Sequence, residues 1–313
     1  MKIAVVCGGV SPEREVSLDS GAAVAKALEE AGQSVVIEDV TKPHDFIEKW
    51  KSLGADGVFI ALHGGWGENG KFQTCLEAFG IPYSGSGPEA SMMGMNKSIS
   101  RHMFAAAGVP VPEGYTKLAG RELDDRDRKM LKKYGSLIVK PNGGGSTVGV
   151  TQVHNEKELA AGLATAWGQE PLALVEQYIP GREITVPVWE KEDGETVAMP
   201  AIDIRPKVGF YDYKNKYTHG NTEYICPAKF SKTTQERLEK LAVAAHKSLG
   251  CRVYSRVDLR VTEDDDIYAL ETNTAPGMTV NSLVPMAARA MGMTVGEFLV
   301  KVMNVSLAIK RGF

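Results

Sequence analysis

The chain has 313 residues, enough for two or three domains and for a core that needs no disulfide staples. Hydrophobic residues at 43% and charged residues at 24% exclude a disordered chain and a fibre. A net charge of −3 argues against a general nucleic-acid or anionic-membrane binder.

The first third alternates strand and helix patterns. Residues 3–7 form a short apolar run that ends at Gly8-Gly9. A helical pattern follows on Ala22, Ala23, Ala25, Ala27 and Leu28 and stops at Gly32. A strand is predicted over 35–40, a short helix over 46–53, and a third strand over 57–62, broken by His63-Gly64-Gly65. Short apolar strands separated by helices predict a parallel sheet covered on both faces, with ligands at the carboxyl ends of its strands. The polar clusters after Cys7 and after Leu62 stand at those ends. In the middle, strands over 137–140 and 148–153 flank a glycine-rich tip and read as a hairpin; a helix is predicted over 156–167 and a strand over 172–179. The last part opens with strands over 184–189 and 197–204, then an aromatic loop over 209–217. Thr233 with Glu236 predicts a capping box for a helix carrying Leu238, Leu241, Ala242, Ala245 and Leu249, ended by Gly250. Strands over 252–261 and 267–273 complete the pattern.

The four cysteines are far apart and read as buried, reduced thiols; the six histidines show no metal spacing. No run reaches 18 apolar residues, and the N-terminus lacks a signal-peptide pattern, so a cytoplasmic protein is expected.

The strongest local signal is the pair of strands near residue 260. Period two puts Arg256 and Asp258 on one face, and Glu271 and Asn273 on one face of the next strand. The acidic link over 262–266 is short, so the two strands pair as a hairpin and Asp258, Glu271 and Asn273 converge. Three oxygen donors make a magnesium-type set, because Mg²⁺ takes few protein oxygens and completes its shell with phosphate and water. A solvated hairpin face is the plainer alternative. Lys140 and the loop Gly143-Gly144-Gly145-Ser146-Thr147 suit phosphate contact through backbone amides and hydroxyls, or form an ordinary hairpin tip. Residues 65–72 match the Walker A spacing up to Lys71, but Phe72 stands where a hydroxyl must ligate the metal, so a P-loop is rejected. Residues 8–12 are not GxGxxG, which leaves a dinucleotide oxidoreductase poorly supported. Glu13 or Glu15 could hold an amine in the cleft, or simply favour the positive end of a helix. Lys216 and Tyr217 lie in the aromatic loop, which has the composition of a flap that closes over a site and excludes water.

In order along the chain, these pieces resemble one family. They are Gly8-Gly9-Val10-Ser11-Pro12-Glu13-Arg14-Glu15-Val16-Ser17-Leu18, Ala61-Leu62-His63-Gly64, Pro82-Tyr83-Ser84-Gly85-Ser86 and Met95-Asn96-Lys97. Val139-Lys140-Pro141 with Gly145-Ser146-Thr147-Val148-Gly149 follows, then Phe210-Tyr211-Asp212-Tyr213 with Lys216-Tyr217, Arg256-Val257-Asp258, and Glu271-Thr272-Asn273-Thr274-Ala275-Pro276-Gly277-Met278-Thr279. Together they resemble the D-alanine–D-alanine ligases of the ATP-grasp superfamily over nearly the whole chain.

The resemblance implies an α/β, three-domain ATP-grasp fold. Residues 1–94 would form an N-terminal parallel-sheet domain, 95–179 a central domain, and 180–313 a C-terminal domain with a lid loop over 207–222. ATP would lie between the last two. The implied reaction joins two D-alanines through a D-alanyl phosphate, supplying peptidoglycan precursor. Lys97, Lys140, Ser146, Thr147 and Lys216 would contact phosphates; Glu176, Gln177, Tyr178 and Ile179 would surround adenine; Glu183 would hold the ribose. Asp258, Glu271 and Asn273 would hold two Mg²⁺ ions, with Mn²⁺ as a substitute. Glu13 would hold the first amine, with Tyr217 and Ser146 beside it. Arg256 and the Gly277 amide would stabilise the oxyanion, Ser282 and Leu283 would bind and shape the second subsite, and His63 would also lie in the cleft. The family also implies a homodimer through the N-terminal domain. Tyr217 points to the dipeptide enzyme, since relatives that use D-lactate or D-serine tend to alter it. The glycines before Gly145, and Thr147, Thr272 and Ala275, depart from the common pattern without losing a metal ligand. A ligase for another acceptor and a nucleotide-binding regulator without turnover are the competing readings; intact Arg256, Asp258, Glu271 and Asn273 speak against the regulator.

Overall fold

A computed structural model describes residues 1–145, 147–207 and 220–309. The chain begins with β1 (Lys2–Gly8), α1 (Arg14–Glu30), β2 (Ser34–Val40), α2 (Pro43–Leu53) and β3 (Gly57–Ile60). These three strands form a parallel sheet in the order β2-β1-β3. The β1 run is apolar without alternation because both faces are covered. Ala4 and Val6 pack with Phe46 of α2 and Phe72 of α3 (Lys71–Ala78). Ile3, Val5 and Cys7 pack with Val24, Ala25 and Leu28 of α1.

That second face has another cover, which comes from far along the chain. Helices α4 (Pro88–Met95) and α5 (Lys97–Ala106) lead out of the first sheet. A second sheet runs β4-β7-β5-β6, from β4 (Gly114–Leu118), β5 (Leu137–Pro141), β6 (Thr151–Val153) and β7 (Leu172–Gln177). Helices α6 (Asp125–Tyr134) and α7 (Glu156–Trp167) pack their apolar residues on it. The third sheet has the order β11-β10-β8-β12-β13, with β9 (Thr196–Ala198) beside β8. Its other strands are β8 (Arg182–Glu190), β10 (Ile202–Pro206), β11 (Thr222–Ile225), β12 (Tyr254–Val261) and β13 (Ile267–Asn273); α8 (Lys232–Ser248) covers one face. After β13 come α9 (Leu283–Ala290) and α10 (Val295–Ala308).

Helix α10 returns to the first sheet. Its Phe298, Leu299, Val302 and Met303 join the core of Ile3, Val5 and Phe59, and Phe298 meets Trp189 of β8 edge-on with ring centroids 5.7 Å apart. Gly296 permits the close approach to α1: a Cβ there would lie 2.4 Å from the carbonyl oxygen of Ala27. No single described helix is long and apolar enough to cross a membrane; α9 and α10 together are apolar, but they meet at 104°.

Several elements differ from the sequence pattern. The strand expected over 148–153 pairs only over Thr151–Val153, because the glycine-rich tip takes the preceding residues out of register with β5. The strand expected over 197–204 divides into β9 and β10. The α8 cap is Ser231, whose hydroxyl accepts the Thr234 N–H at 3.2 Å, so the Thr233/Glu236 capping box is not the one used. A helix does open at Lys71, but from a left-handed glycine after a short turn at Gly65–Gly67. All four cysteines are free, and burial pushes the Cys7 thiol up to about 11 and that of Cys251 up to about 12.

Candidate active site

The carboxyl ends of β1 and β3 face the β12–β13 hairpin and the glycine-rich tip of the second sheet. Between them is a cavity of about 750 Å³. Its walls include Glu13, His63, Lys97, Arg256, Glu271, Asn273, Gly277, Ser282 and Leu283, all singled out from the sequence.

Glu13 stands just before α1, at the positive end of the helix, where an ionised carboxylate is favoured. Its Oε2 lies so close to the Gly64 backbone that a Cβ at Gly64 would fall 2.7 Å away; the same oxygen is 3.9 Å from the Cβ position of Gly145. The carboxylate thus sits between the end of β3 and the glycine-rich tip. Ser11 ties the two N-terminal loops together: its hydroxyl donates to the His63 carbonyl at 2.6 Å and accepts the Glu13 N–H at 3.1 Å. His63 is buried, with Nε2 2.8 Å from the Ser20 hydroxyl and Nδ1 3.5 Å from Glu68.

The hairpin geometry follows from period two. Arg256 pairs with Asn273 and Asp258 with Glu271, so all four side chains share a face. Arg256 grips Asp258 through both nitrogens, Nε–Oδ1 at 2.9 Å and Nη2–Oδ2 at 2.7 Å. Thr185 of β8 adds a 2.6 Å hydrogen bond to Asp258 Oδ1. Lys97 opens α5 and reaches across the cleft: Nζ donates to the Gly144 carbonyl at 2.5 Å and lies 3.3 Å from Glu271. Lys97 therefore links the glycine-rich tip to the hairpin face.

The oxygens of Asp258, Glu271 and Asn273 suit a hard divalent cation, and Lys97 and Arg256 occupy the two carboxylates as positive charges. Asn273 Oδ1 also accepts the Ala275 N–H at 2.9 Å, which orients the amide. Among the described residues no three Asp, Glu, His or Cys side chains are grouped as a metal cage; the third donor here is an amide.

The remaining predicted residues lie off this cavity. Lys140 and Glu176 form a buried ion pair at 2.5 Å between β5 and β7. Tyr178, Ile179 and Glu183 are collected by one guanidinium. Arg260 donates to the Ile179 carbonyl at 3.1 Å, to the Tyr178 hydroxyl at 3.3 Å and to Glu183 at 3.3 Å. Burial pushes the Glu183 carboxyl up to about 7 despite Arg260, with Asp258 and Glu271 adding to the rise. Gln177 takes part in backbone pairing at the end of β7, its amide bonded to the Glu113 carbonyl at 2.8 Å. Thr147 adopts a left-handed φ of 61° in the tip. Glu170 accepts the Gly143 N–H, so that amide is committed within the protein. Ser146, Lys216, Tyr217 and the aromatic stretch from Phe210 lie outside the described residues.

The family model for the D-ala D-ala ligase C-terminus matches residues 103–304. A D-alanine–D-alanine ligase from Syntrophotalea carbinolica is 43% identical over 302 residues, covering 96% of this chain and 95% of its own. The chain belongs to the D-alanine–D-alanine ligase family. A solved D-alanine–D-alanine ligase from Bacillus anthracis, complexed with ATP, is 33% identical with a TM-score of 0.86, over 99% of this chain and 98% of its own. The VanG D-Ala:D-Ser ligase from Enterococcus faecalis is 27% identical with a TM-score of 0.82, over 97% and 99%. The fold is accordingly the α/β ATP-grasp architecture of this family, with its parallel sheet at the N-terminus.

Two site features escape sequence reasoning. Glu68 lies on the cavity wall beside His63, inside the segment rejected as a Walker loop. Arg260 organises Tyr178, Ile179 and Glu183, yet nothing in its local pattern separates it from a solvated strand residue. Its signal was position: it shares the strand face of Arg256 and Asp258.

Proposed function

We propose that this chain joins two D-alanines into D-alanyl-D-alanine at the expense of ATP, for peptidoglycan precursor synthesis in the cytoplasm. The observation that carries the reading is the convergence, in one cavity, of an anchoring carboxylate (Glu13), two cations (Lys97 and Arg256) and the oxygen-bearing hairpin face.

Glu13 holds the ammonium of the first D-alanine, which leaves its carboxylate directed at the γ-phosphate. A carboxylate oxygen forms a bond to phosphorus, the bond to the ADP oxygen breaks, and D-alanyl phosphate results. The free amine of the second D-alanine attacks the acyl carbon and phosphate departs with its bonding pair. The amine's extra proton passes in the same stage to the departing phosphate, which leaves as hydrogen phosphate. Arg256 and the Gly277 amide face the oxygen that becomes negative, the arrangement that lowers such barriers most. Ser282 and Leu283 shape the acceptor subsite, and His63 binds substrate in the same cleft. Lys97, Lys140 and Thr147, with Ser146 and Lys216, receive the phosphates; Glu176, Gln177, Tyr178 and Ile179 surround adenine, and Glu183 takes the ribose. Tyr217 belongs to the flap that keeps water from the acyl phosphate. Asp258, Glu271 and Asn273 would hold Mg²⁺ (two ions, or Mn²⁺), whose chemistry is to neutralise the triphosphate and polarise the transferred phosphoryl group. The division of the chain at 94/95 and 179/180, a lid over 207–222, and a homodimer belong to the same proposal.

The test is ADP release from Mg·ATP with D-alanine alone, with the product identified by mass. One ADP per D-alanyl-D-alanine supports the reading. Turnover only when D-lactate or D-serine is added would move the chain to the alternative acceptors, one of which the VanG relative's name carries. Silence with every acceptor would refute it.

A further inference from the structure

The buried pair of Lys140 and Glu176 has a third member. Glu176 lies on β7, and its second oxygen, Oε2, is 2.5 Å from Nη1 of Arg101 on α5. Nη2 of the same guanidinium donates to the carbonyl of Pro112. Arg101, Lys140 and Glu176 are all buried. Two positive charges thus share one negative charge in the protein interior, where unbalanced charge is costly and an incoming anion is rewarded. Backbone packing keeps the slot open for this arrangement. Gly114 of β4 pairs in register with Glu176, and a Cβ on Gly114 would stand 3.1 Å from Arg101 Nη2 and 2.9 Å from Glu176 Cβ.

We propose that Arg101 is a positioning residue for the nucleotide phosphates, acting through Glu176 on Lys140. Arg101 takes one oxygen of the carboxylate, so Lys140 shares Glu176 with a competitor. The ammonium can then turn to the triphosphate when ATP enters, and the triphosphate supplies the negative charge that the cluster lacks. Without Arg101 the whole carboxylate would face Lys140. The cluster would be neutral, and Lys140 would exchange one anion for another at no gain. This inference rests on the ATP reading above.

Calorimetric titration with Mg·ATP, without D-alanine, tests it. Arg101→Gln is expected to weaken ATP binding about tenfold, with the steady-state loss falling mainly in KM for ATP rather than kcat. Arg101→Lys keeps the charge and should retain most of the affinity. Because Glu176 also borders adenine in the proposed site, its variants are read with magnesium tripolyphosphate, which carries no adenine: Arg101→Gln combined with Glu176→Gln should recover affinity for it to within about threefold of wild type, because Lys140 no longer faces a carboxylate. A purely structural role would instead make the double variant worse than either single. If Arg101→Gln does not fold, Glu176→Gln alone is read by thermal unfolding. It should lower the midpoint of the free protein and enlarge the gain on adding magnesium tripolyphosphate, since two unbalanced cations then await the anion. Equal ATP affinity in wild type and Arg101→Gln overturns the inference, as does an unchanged magnesium tripolyphosphate gain in Glu176→Gln. A wild-type chain that binds no Mg·ATP overturns the nucleotide reading itself, and the same titration tells the two failures apart.

Discussion

Acidification should weaken this protein through one buried imidazole. His246 on α8 is 1% exposed, and its Nδ1 is 2.8 Å from the Ser255 hydroxyl on β12. Burial holds its pKa down at about 4, against an ordinary 6.5; Glu190 pulls the other way, and Lys247 and Arg252 add to the depression. Between those two values the unfolded chain binds a proton that the folded chain refuses, so stability falls as pH falls. The full depression corresponds to about 3 kcal/mol, reached below pH 4, and about 2 kcal/mol of it is lost between pH 7.5 and pH 5. At about 2 °C of midpoint per kcal/mol, the wild type should lose about 4 °C over that interval from this residue alone. The assay is thermal unfolding of wild type and His246→Gln at matched ionic strength from pH 7.5 to 5. Glutamine keeps a hydrogen-bonding group for Ser255 but cannot take the proton, so the gap between the two midpoints should close on acidification. Parallel curves would refute the argument, because the imidazole would then titrate alike in both states.

Other expectations follow from contacts at the site and the core. Arg256→Lys keeps the charge but loses the two-pronged grip on Asp258, and should lower kcat by about 100-fold while unfolding temperature moves little; near-wild-type turnover would remove Arg256 from the oxyanion role. Chelation with EDTA should stop ADP release and added Mg²⁺ should restore it; persistence of activity in metal-free buffer would contradict the assignment of Asp258, Glu271 and Asn273. Lys97→Met should raise KM for ATP about tenfold, since Nζ is the link between Gly144 and Glu271. Gly296→Ala puts a methyl 2.4 Å from the Ala27 carbonyl, a clash with backbone, and should cost about 1–3 kcal/mol in denaturant unfolding; an unchanged midpoint would mean that α10 does not pack as described.

What the sequence discloses here depends on how local the signal is. The β12–β13 hairpin is legible because its period, its short acidic link and its oxygen-bearing side chains all lie within 18 residues, and register then brings Asp258 opposite Glu271. The first sheet is legible from uninterrupted apolar runs separated by helices. Arg101 is not, because its meaning depends on Glu176, 75 residues away on another element. Arg260 is hidden for the same reason, its partner Ile179 being 81 residues distant. Glu68 was masked by a glycine pattern that imitates a phosphate loop, although its neighbour His63 was recognised. The Thr233/Glu236 box failed by two residues: Ser231 is an equally good cap, and only the path of the preceding chain selects it. The contribution of α10 to the first sheet is invisible locally, since an apolar helix does not announce which surface it covers.

That last contact sets an order on synthesis. The strand Lys2–Gly8 leaves the ribosome long before Phe298 to Met303, which seal one of its faces. At about 5–20 residues per second, about 12–50 seconds separate the completion of β3 from that of α10. Throughout that interval Ile3, Val5 and Phe59 lack part of their cover, and the growing chain presents a sticky surface to its neighbours. A chain stalled or cut short within that interval would be a fragment in which Ile3, Val5 and Phe59 stay partly uncovered.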